Sequence, residues 1–275
     1  MISATTISPL NRRIIDEGGG GIDPSAQAFI TAAGITGETQ QTALNQLVLD
    51  LKGAGSTTNN SDVWSDIHAV YPMCPINGST ATLTACSYNL KDTSAHQITW
   101  FNSPTVSING VAGNGSNAYG DTNYNPSINA VLNDTHFTMV KSSGYAVIQK
   151  EIGVRSGGNL FSVITSGTSY LSSFYNTSTG RLTTTYNNTG KLIITSSRTS
   201  SISHSVYQNG ISIGSNSTSG GALPNANFYL FAENGFLSRY DNANYEFVSI
   251  GLGLTENQAK DLDDAIQTFN TALGR

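Results

Sequence analysis

The sequence predicts a mainly β protein: a two-sheet antiparallel sandwich, with a small N-terminal helical unit before it and a C-terminal helix after it. Three observations predict this. From about residue 76, apolar residues recur with a period of two in short runs separated by Asn, Gly and Ser. Asn209-Gly210 stands between two extended runs, Val206-Tyr207-Gln208 and Ile211-Ser212-Ile213. That is a strong hairpin signal, because both central residues of a type I′ turn need φ > 0. At either end of the chain the apolar period changes to that of a helix.

Residues 1–22 read as an arm. Asn11-Arg12-Arg13-Ile14-Ile15-Asp16-Glu17 leads into four consecutive glycines, a flexible tether. Arg12, Arg13, Ile14 and Ile15 are its candidate attachment residues. Asp23 before Pro24 is an N-cap followed by proline at N1, and Gly34 stands at C′, so the spacing predicts a helix over 24–33. Thr36 opens a second helix with Leu44, Leu47, Val48 and Leu51 as its apolar stripe and Gly53 at its end. After a loop at 55–60, Val63, Trp64, Ile67 and Val70 predict a short third helix, ended by Tyr71-Pro72 because the residue before proline is pushed out of the α region. Residues 23–75 are the expected helical unit, and 76–275 the expected sandwich with its closing helix.

The predicted strands are 96–101, 137–140, 145–152, 160–165, 171–175, 181–186, 191–195, 204–208, 228–233 and 245–251. No sequence repeat of fixed period is present, which disfavours a solenoid or propeller. Thr255 then caps the last helix, and Gln258 completes a capping box. Ala259, Leu262, Ile266, Phe269 and Leu273 give that helix one apolar face. Burying five side chains does not offset the entropy of ordering the segment, so the helix must lie on a sheet.

Composition narrows the function. Only 11% of residues are charged, and Ser, Thr, Asn and Gly make the polar surface instead. Thirteen Lys and Arg against 18 Asp and Glu give a net charge of −5, with no basic block beyond Arg12-Arg13, so no footprint for nucleic acid exists. No apolar run is long enough for a bilayer-spanning helix. The N-terminus lacks a basic region followed by an apolar one, so export by the ordinary route is not expected. Cys74 and Cys86 flank a turn and could be bridged, yet two cysteines make no disulfide framework; free thiols are expected of a chain assembled in a cytoplasm.

A resemblance extends this reading. Lys191-Leu192-Ile193-Ile194-Thr195, Arg198, Tyr207-Gln208-Asn209-Gly210, Phe228-Tyr229-Leu230-Phe231-Ala232 and Phe247-Val248-Ser249-Ile250-Gly251, in that order, resemble the second half of a concanavalin A-like (laminin-G-like) jelly roll. Two further segments resemble a family of structural proteins of tailed bacteriophages. One is Ala28-Phe29-Ile30-Thr31-Ala32-Ala33-Gly34-Ile35-Thr36 followed by Asn45-Gln46-Leu47-Val48-Leu49-Asp50-Leu51-Lys52. The other is Gly251-Leu252-Gly253-Leu254-Thr255-Glu256 running on to Arg275. Ala69-Val70-Tyr71-Pro72 and Gly115-Ser116-Asn117-Ala118-Tyr119-Gly120-Asp121-Thr122 also fit, so the likeness covers most of the chain after residue 22, with 55–62 as an insertion. It implies a jelly roll carried on a virion assembled in the host cytoplasm. It also implies other virion proteins and further copies of the chain as partners.

Candidate chemistry is sparse. A glycosidase of this fold needs two carboxylates facing its substrate, and no predicted strand carries acids two apart. Asp261 and Asp263 have that spacing only on the terminal helix, while Glu151, Glu233 and Glu246 stand alone. Gly210-Ile211-Ser212-Ile213-Gly214 matches a nucleophile elbow, but Ser212 falls in the return strand of a hairpin rather than at a strand-to-helix turn. His68, His96, His136 and His204 are dispersed, without metal-ligand spacing. An enzyme is not expected.

Asp121, Asn123 and Asn125 place three side-chain oxygens at alternate positions, as calcium prefers; Asx-turn chemistry explains the same residues without a metal. No other cofactor is implied. Tyr119, Tyr124, Tyr170, Tyr175, Tyr186, Tyr240 and Tyr245 are the expected exposed aromatics, for sugar stacking or for ordinary cross-strand packing. The best patch joins Tyr119, Asp121, Asn123, Tyr124 and Asn125 with Arg239, Tyr240 and Asp241. Two functions are consistent with these residues. One is a non-enzymatic virion structural protein, a capsid decoration, head fibre or tail appendage, that meets host surface polysaccharide. The other is a carbohydrate-binding lectin module in its own right.

Overall fold

A computed structural model describes residues 21–143, 149–166, 169–174, 181–187, 190–235, 237 and 240–275. Arg12, Arg13, Ile14, Ile15, Tyr175 and Arg239 lie outside the described residues, as do the start of the strand expected at 145–152 and the side chain of Tyr170. The architecture is mainly β, with two sheets and helices at both ends of the chain.

The first sheet contains, from edge to edge, β13 (Ile211–Asn216), β12 (Ser203–Gln208), β11 (Leu192–Ser200), β6 (Thr135–Ser143), β16 (Asn244–Gly251), β4 (Gly110–Ala112) and β3 (Thr105–Ser107). β1 (Ile67–Tyr71) pairs with β16 alongside β4. The second sheet contains β10 (Arg181–Thr185), β9 (Ser169–Phe174), β8 (Asn159–Ser166), β7 (Gln149–Ser156), β14 (Tyr229–Leu230), β5 (Tyr119–Asp121) and β2 (Thr99–Phe101). The short β15 (Glu233–Asn234) pairs with β7 in parallel. The hairpin between β12 and β13 turns at Asn209 (φ 50°) and Gly210 (φ 72°), as a type I′ turn requires.

Alternation along β6 and β16 builds two cores. Phe137, Met139, Tyr245, Val248 and Ile250 enter the space between the sheets, against Phe161, Phe228 and Leu230. Val140 and Phe247 face the other way, with Ile193, and meet the helices α1 (Pro24–Ala33), α2 (Glu38–Leu51) and α4 (Glu256–Ala272). The result is three layers: helices, first sheet, second sheet. Thr99, Phe101, Thr183 and Thr185 are exposed, so the outward face of the second sheet is open to solvent at β2 and β10.

The terminal helices form as their caps dictate. Asp23 accepts from Ser25 N, Gly34 takes φ 66°, and Thr255 and Gln258 form the complete capping box. Loop 56–61 is fastened to α2 and α4 by carboxylates: Asp50 accepts from Ser56 N, Asp264 from Thr58 N, and Asp261 from Asn59 N and Ser61 N. Cys74 and Cys86 are free and buried, and burial pushes both thiols up to about 12.

The expected third helix is a correction. Trp64–Asp66 is a single 3₁₀ turn, and the chain then becomes strand β1. Ala69 and Tyr71 point between the sheets, while Ile67 and Val70 point toward the helices. A strand covered on both faces is apolar on both, and its residues imitate helical spacing. The strand expected at 228–233 is broken for a different reason: Phe231 adopts φ 63°, which separates β14 from β15.

Candidate functional site

β2, β5 and β14 lie side by side on the open sheet. Phe101 pairs with Tyr119, and Asp121 is flanked by Thr99 on one side and Tyr229 on the other. Strand alternation sends Trp100, Gly120 and Leu230 inward and leaves Thr99, Phe101, Tyr119, Asp121 and Tyr229 on the outer face. Gly120 is required there, because a Cβ would stand 2.6 Å from Trp100 Cζ3 and 2.8 Å from Ile98 Cγ2.

On that face three rings form a ladder. Phe101 stacks on Tyr119 at 4.7 Å with planes 12° apart, and Tyr119 stacks on Tyr229 at 4.7 Å with planes 20° apart. Burial, then the Asp121 carboxylate and Tyr119, push the Tyr229 phenol up to about 12. Burial, then Tyr240 and Asp121, also raise Tyr119, so Tyr240 lies within electrostatic reach of the ladder. Asn227 Nδ2 donates to Asp121 Oδ2 (3.2 Å), so a carboxylate, an amide and two phenols border the rings.

The backbone around the ladder is held in sparsely populated conformations. Among the described residues nine non-glycines have positive φ, and five of them, His96, Asn102, Ser103, Asn123 and Phe231, lie just beyond the ends of these three strands. Such outliers concentrate at ligand sites because the surrounding structure must over-determine them.

The expected patch is only partly assembled. Tyr119, Asp121 and Tyr240 come together at the ladder, and Asn123 borders it, exposed. Tyr124 is a correction: it is fully buried, with its hydroxyl 3.1 Å from Nδ1 of His68. Asp241 is another. It is buried, accepts from Ala243 N and the Tyr245 hydroxyl, and lies 3.6 Å from Nζ of the equally buried Lys141. Tyr186 and Tyr245, expected to be exposed, are also buried, in the core between the sheets.

The proposed calcium oxygens serve turns instead. Asp121 Oδ1 accepts from Asn123 N, Asn125 Oδ1 accepts from Ser127 N at the cap of α3 (Pro126–Asn129), and Asn123 Nδ2 donates to Gln97 O and Thr99 Oγ1. These residues fit the Asx-turn account rather than a calcium loop. Among the described residues no group of three or more His, Cys, Asp or Glu side chains could hold a metal ion.

Sequence reasoning missed Phe101, Tyr229 and Asn227. Period-two alternation places Phe101 and Tyr229 outward once their strands are known, but no local signal shows that three distant segments are neighbours. Two of the four histidines, distant in sequence, come together in the fold. His68 and His96 both pack on Tyr124, with ring centroids at 6.2 and 5.1 Å. They line a cleft of about 460 Å³ with Lys91, Asp92 and Asn129. Burial, then His96 and Lys91, lower the pKa of His68 and favour its neutral form.

No protein-family model matches the sequence, and no curated protein matches it either. Solved structures do resemble it in fold. The Ruminococcus gnavus IT-sialidase CBM40 has a TM-score of 0.40 at 12% identity, over 47% of this chain and 82% of that one. The binding domain of botulinum neurotoxin DC, in complex with rat synaptotagmin II, has a TM-score of 0.52 at 12% identity, over 74% of this chain and 52% of that one. Trypanosoma rangeli sialidase in complex with sialic acid has a TM-score of 0.55 at 11% identity, over 81% of this chain. The chain spans only 38% of that sialidase's length. At such identities the likeness is one of fold alone, a β-sandwich.

Proposed function

We propose that the chain is a non-enzymatic carbohydrate-binding β-sandwich, displayed as a structural component of a tailed-phage virion. The observation that carries the binding role is the solvent-facing ladder of Phe101, Tyr119 and Tyr229, bordered by Asp121, Asn227 and Tyr240. Sugars pack their C–H faces on aromatic rings and exchange hydrogen bonds with carboxylates, amides and hydroxyls. This ladder offers both kinds of contact on a face that no helix among the described residues covers. The sialic acid complex of the similar sialidase agrees with such a role.

Acid catalysis has little support. Arg155 holds Glu233 at 2.8 Å, Lys191 holds Glu246 at 2.6 Å, and backbone N–H groups occupy Asp261. A glycosidase of the two-carboxylate kind needs one carboxylate poised as an acid beside a second, and these three are engaged elsewhere.

The virion setting rests on the sequence resemblance in residues 28–52 and 251–275. It brings with it other virion proteins as partners, a homo-oligomeric state and assembly in the host cytoplasm. A single shallow sugar site binds at about 1 mM, near −4 kcal/mol. Display in many copies raises avidity by about 10²–10⁴, so symmetric presentation suits a site of this kind.

The test is a panel of bacterial surface polysaccharides probed with multimerised protein. Binding that disappears in Phe101→Ala is the expected result, with no sugar released from any bound glycan. Silence across the panel would leave a structural role alone. Finding the purified chain freely soluble, with no particle component that binds it, would remove the virion half of the proposal.

A further inference from the structure

Building on the reading of the ladder as a glycan site, we infer that the ligand is an uncharged oligosaccharide occupying two subsites, the ladder and the histidine-lined cleft. Asn123 links the two. Its backbone carbonyl lies 3.0 Å from Nδ1 of His96 in the cleft, and its amide nitrogen donates to Thr99 Oγ1 on the ladder face. Its N–H is held by Asp121, so one left-handed residue separates the acidic edge of the ladder from the cleft.

Length argues for more than one sugar. From Tyr119 to Asp121 the strand advances about 7 Å, and Asn123 at the edge of the cleft lies two residues further on, so ladder and cleft together extend beyond a single pyranose ring. The cleft adds about 460 Å³, within the usual range for small-ligand sites. Nε2 of His96 has no hydrogen-bond partner among the described residues and is available to a sugar hydroxyl.

Charge argues for an uncharged chain. Lys91 donates to Trp64 O and lies 4.6 Å above the Trp64 ring, and Asp92 shares the cleft with it. On the ladder side Asp121 supplies negative charge, and Arg155 is held by Glu233. A carboxylate or sulfate at the ladder would meet Asp121, and one in the cleft would meet Asp92, while Lys91 is drawn onto the Trp64 carbonyl and ring.

The experiment is a titration of the full chain, followed by backbone amide shifts and by calorimetry. The probes are gluco-, galacto- and mannooligosaccharides of one to six units, with sialic-acid-capped versions of each. Affinity rising about tenfold from the monosaccharide to the longer members, with shifts at both Tyr119 and His96, is the expected result. His96→Asn, which keeps a residue tolerant of the left-handed backbone, removes that gain with length, whereas Phe101→Ala weakens every length. Binding that ignores length and His96→Asn but is lost in Phe101→Ala overturns the second subsite and leaves the ladder reading intact. Tighter binding of the sialylated series overturns the uncharged ligand. Silence toward every probe overturns both the two-subsite inference and the ladder reading.

Discussion

Gly120 shows how tightly single residues hold this molecule. Its missing side chain lets Trp100 pass beneath the ladder, 2.6 Å from where a Cβ would stand. Gly120→Ala should therefore cost about 1–3 kcal/mol through overpacking, read as a lower urea midpoint, and should weaken glycan binding by tilting Tyr119. Titrating residues give a second prediction. Burial raises the pKa of Asp263 to about 6 from its ordinary 3.8, while burial lowers that of His136 to about 4 from its ordinary 6.5. A raised carboxyl stabilises the fold fully below pH 3.8, and that contribution is lost as pH climbs through 6. A depressed histidine does the opposite: its stabilisation is full above pH 6.5 and is lost as pH falls toward 4. Between pH 4 and 6 the two oppose each other. Asp263→Asn removes one of them, so the stability of the variant relative to the parent should rise across that window by about 2 kcal/mol. Urea unfolding at pH 4, 5 and 6 measures it, and a flat difference would show that Asp263 keeps its ordinary pKa.

At the scale of elements, local chemistry was legible and long-range pairing was not. α1, α4 and the Asn209-Gly210 turn were readable because a cap or a positive φ is decided by residues a few positions apart. The capping box of α4 makes this testable. Thr255→Ala removes the acceptor of Gln258 N and should cost about 1 kcal/mol, seen as a lower thermal midpoint. Thr255→Ser should restore most of it. β1 was misread because helices cover one of its faces and the second sheet covers the other, which erases the alternation that reveals a strand. The ladder was half legible: Tyr119 and Asp121 stood out, but Phe101 and Tyr229 become neighbours only through strand pairings that no local pattern encodes. Tyr124 and Asp241 were misassigned because a polar aromatic or an acid near a turn looks the same from sequence whether it faces solvent or a buried partner, here His68 and Lys141.

At the scale of the whole molecule, the shared strands decide whether three layers behave as one body. β6 gives Met139 to the core between the sheets and Val140 to the core under the helices, and β16 divides Val248 and Phe247 in the same way. Neither core can lose its packing without exposing the reverse side of the strands that wall the other. A single cooperative transition follows. The chain supplies its own reporters, since its two tryptophans lie in different layers: Trp64 packs against the helical core and Trp100 against the core between the sheets. Trp64→Phe leaves only the sandwich reporter, and Trp100→Phe leaves only the helical one. Each variant carries its own change in stability, so its fluorescence transition is compared with its own far-ultraviolet dichroism transition in urea. The two should coincide within each variant, with one midpoint and one slope. If Trp64 fluorescence were lost at lower urea than the β-sheet signal, the helical layer would unfold as a separate unit. The open sheet could then carry its ladder without the helices, and α4 would be a detachable cover rather than part of the frame that holds the binding face.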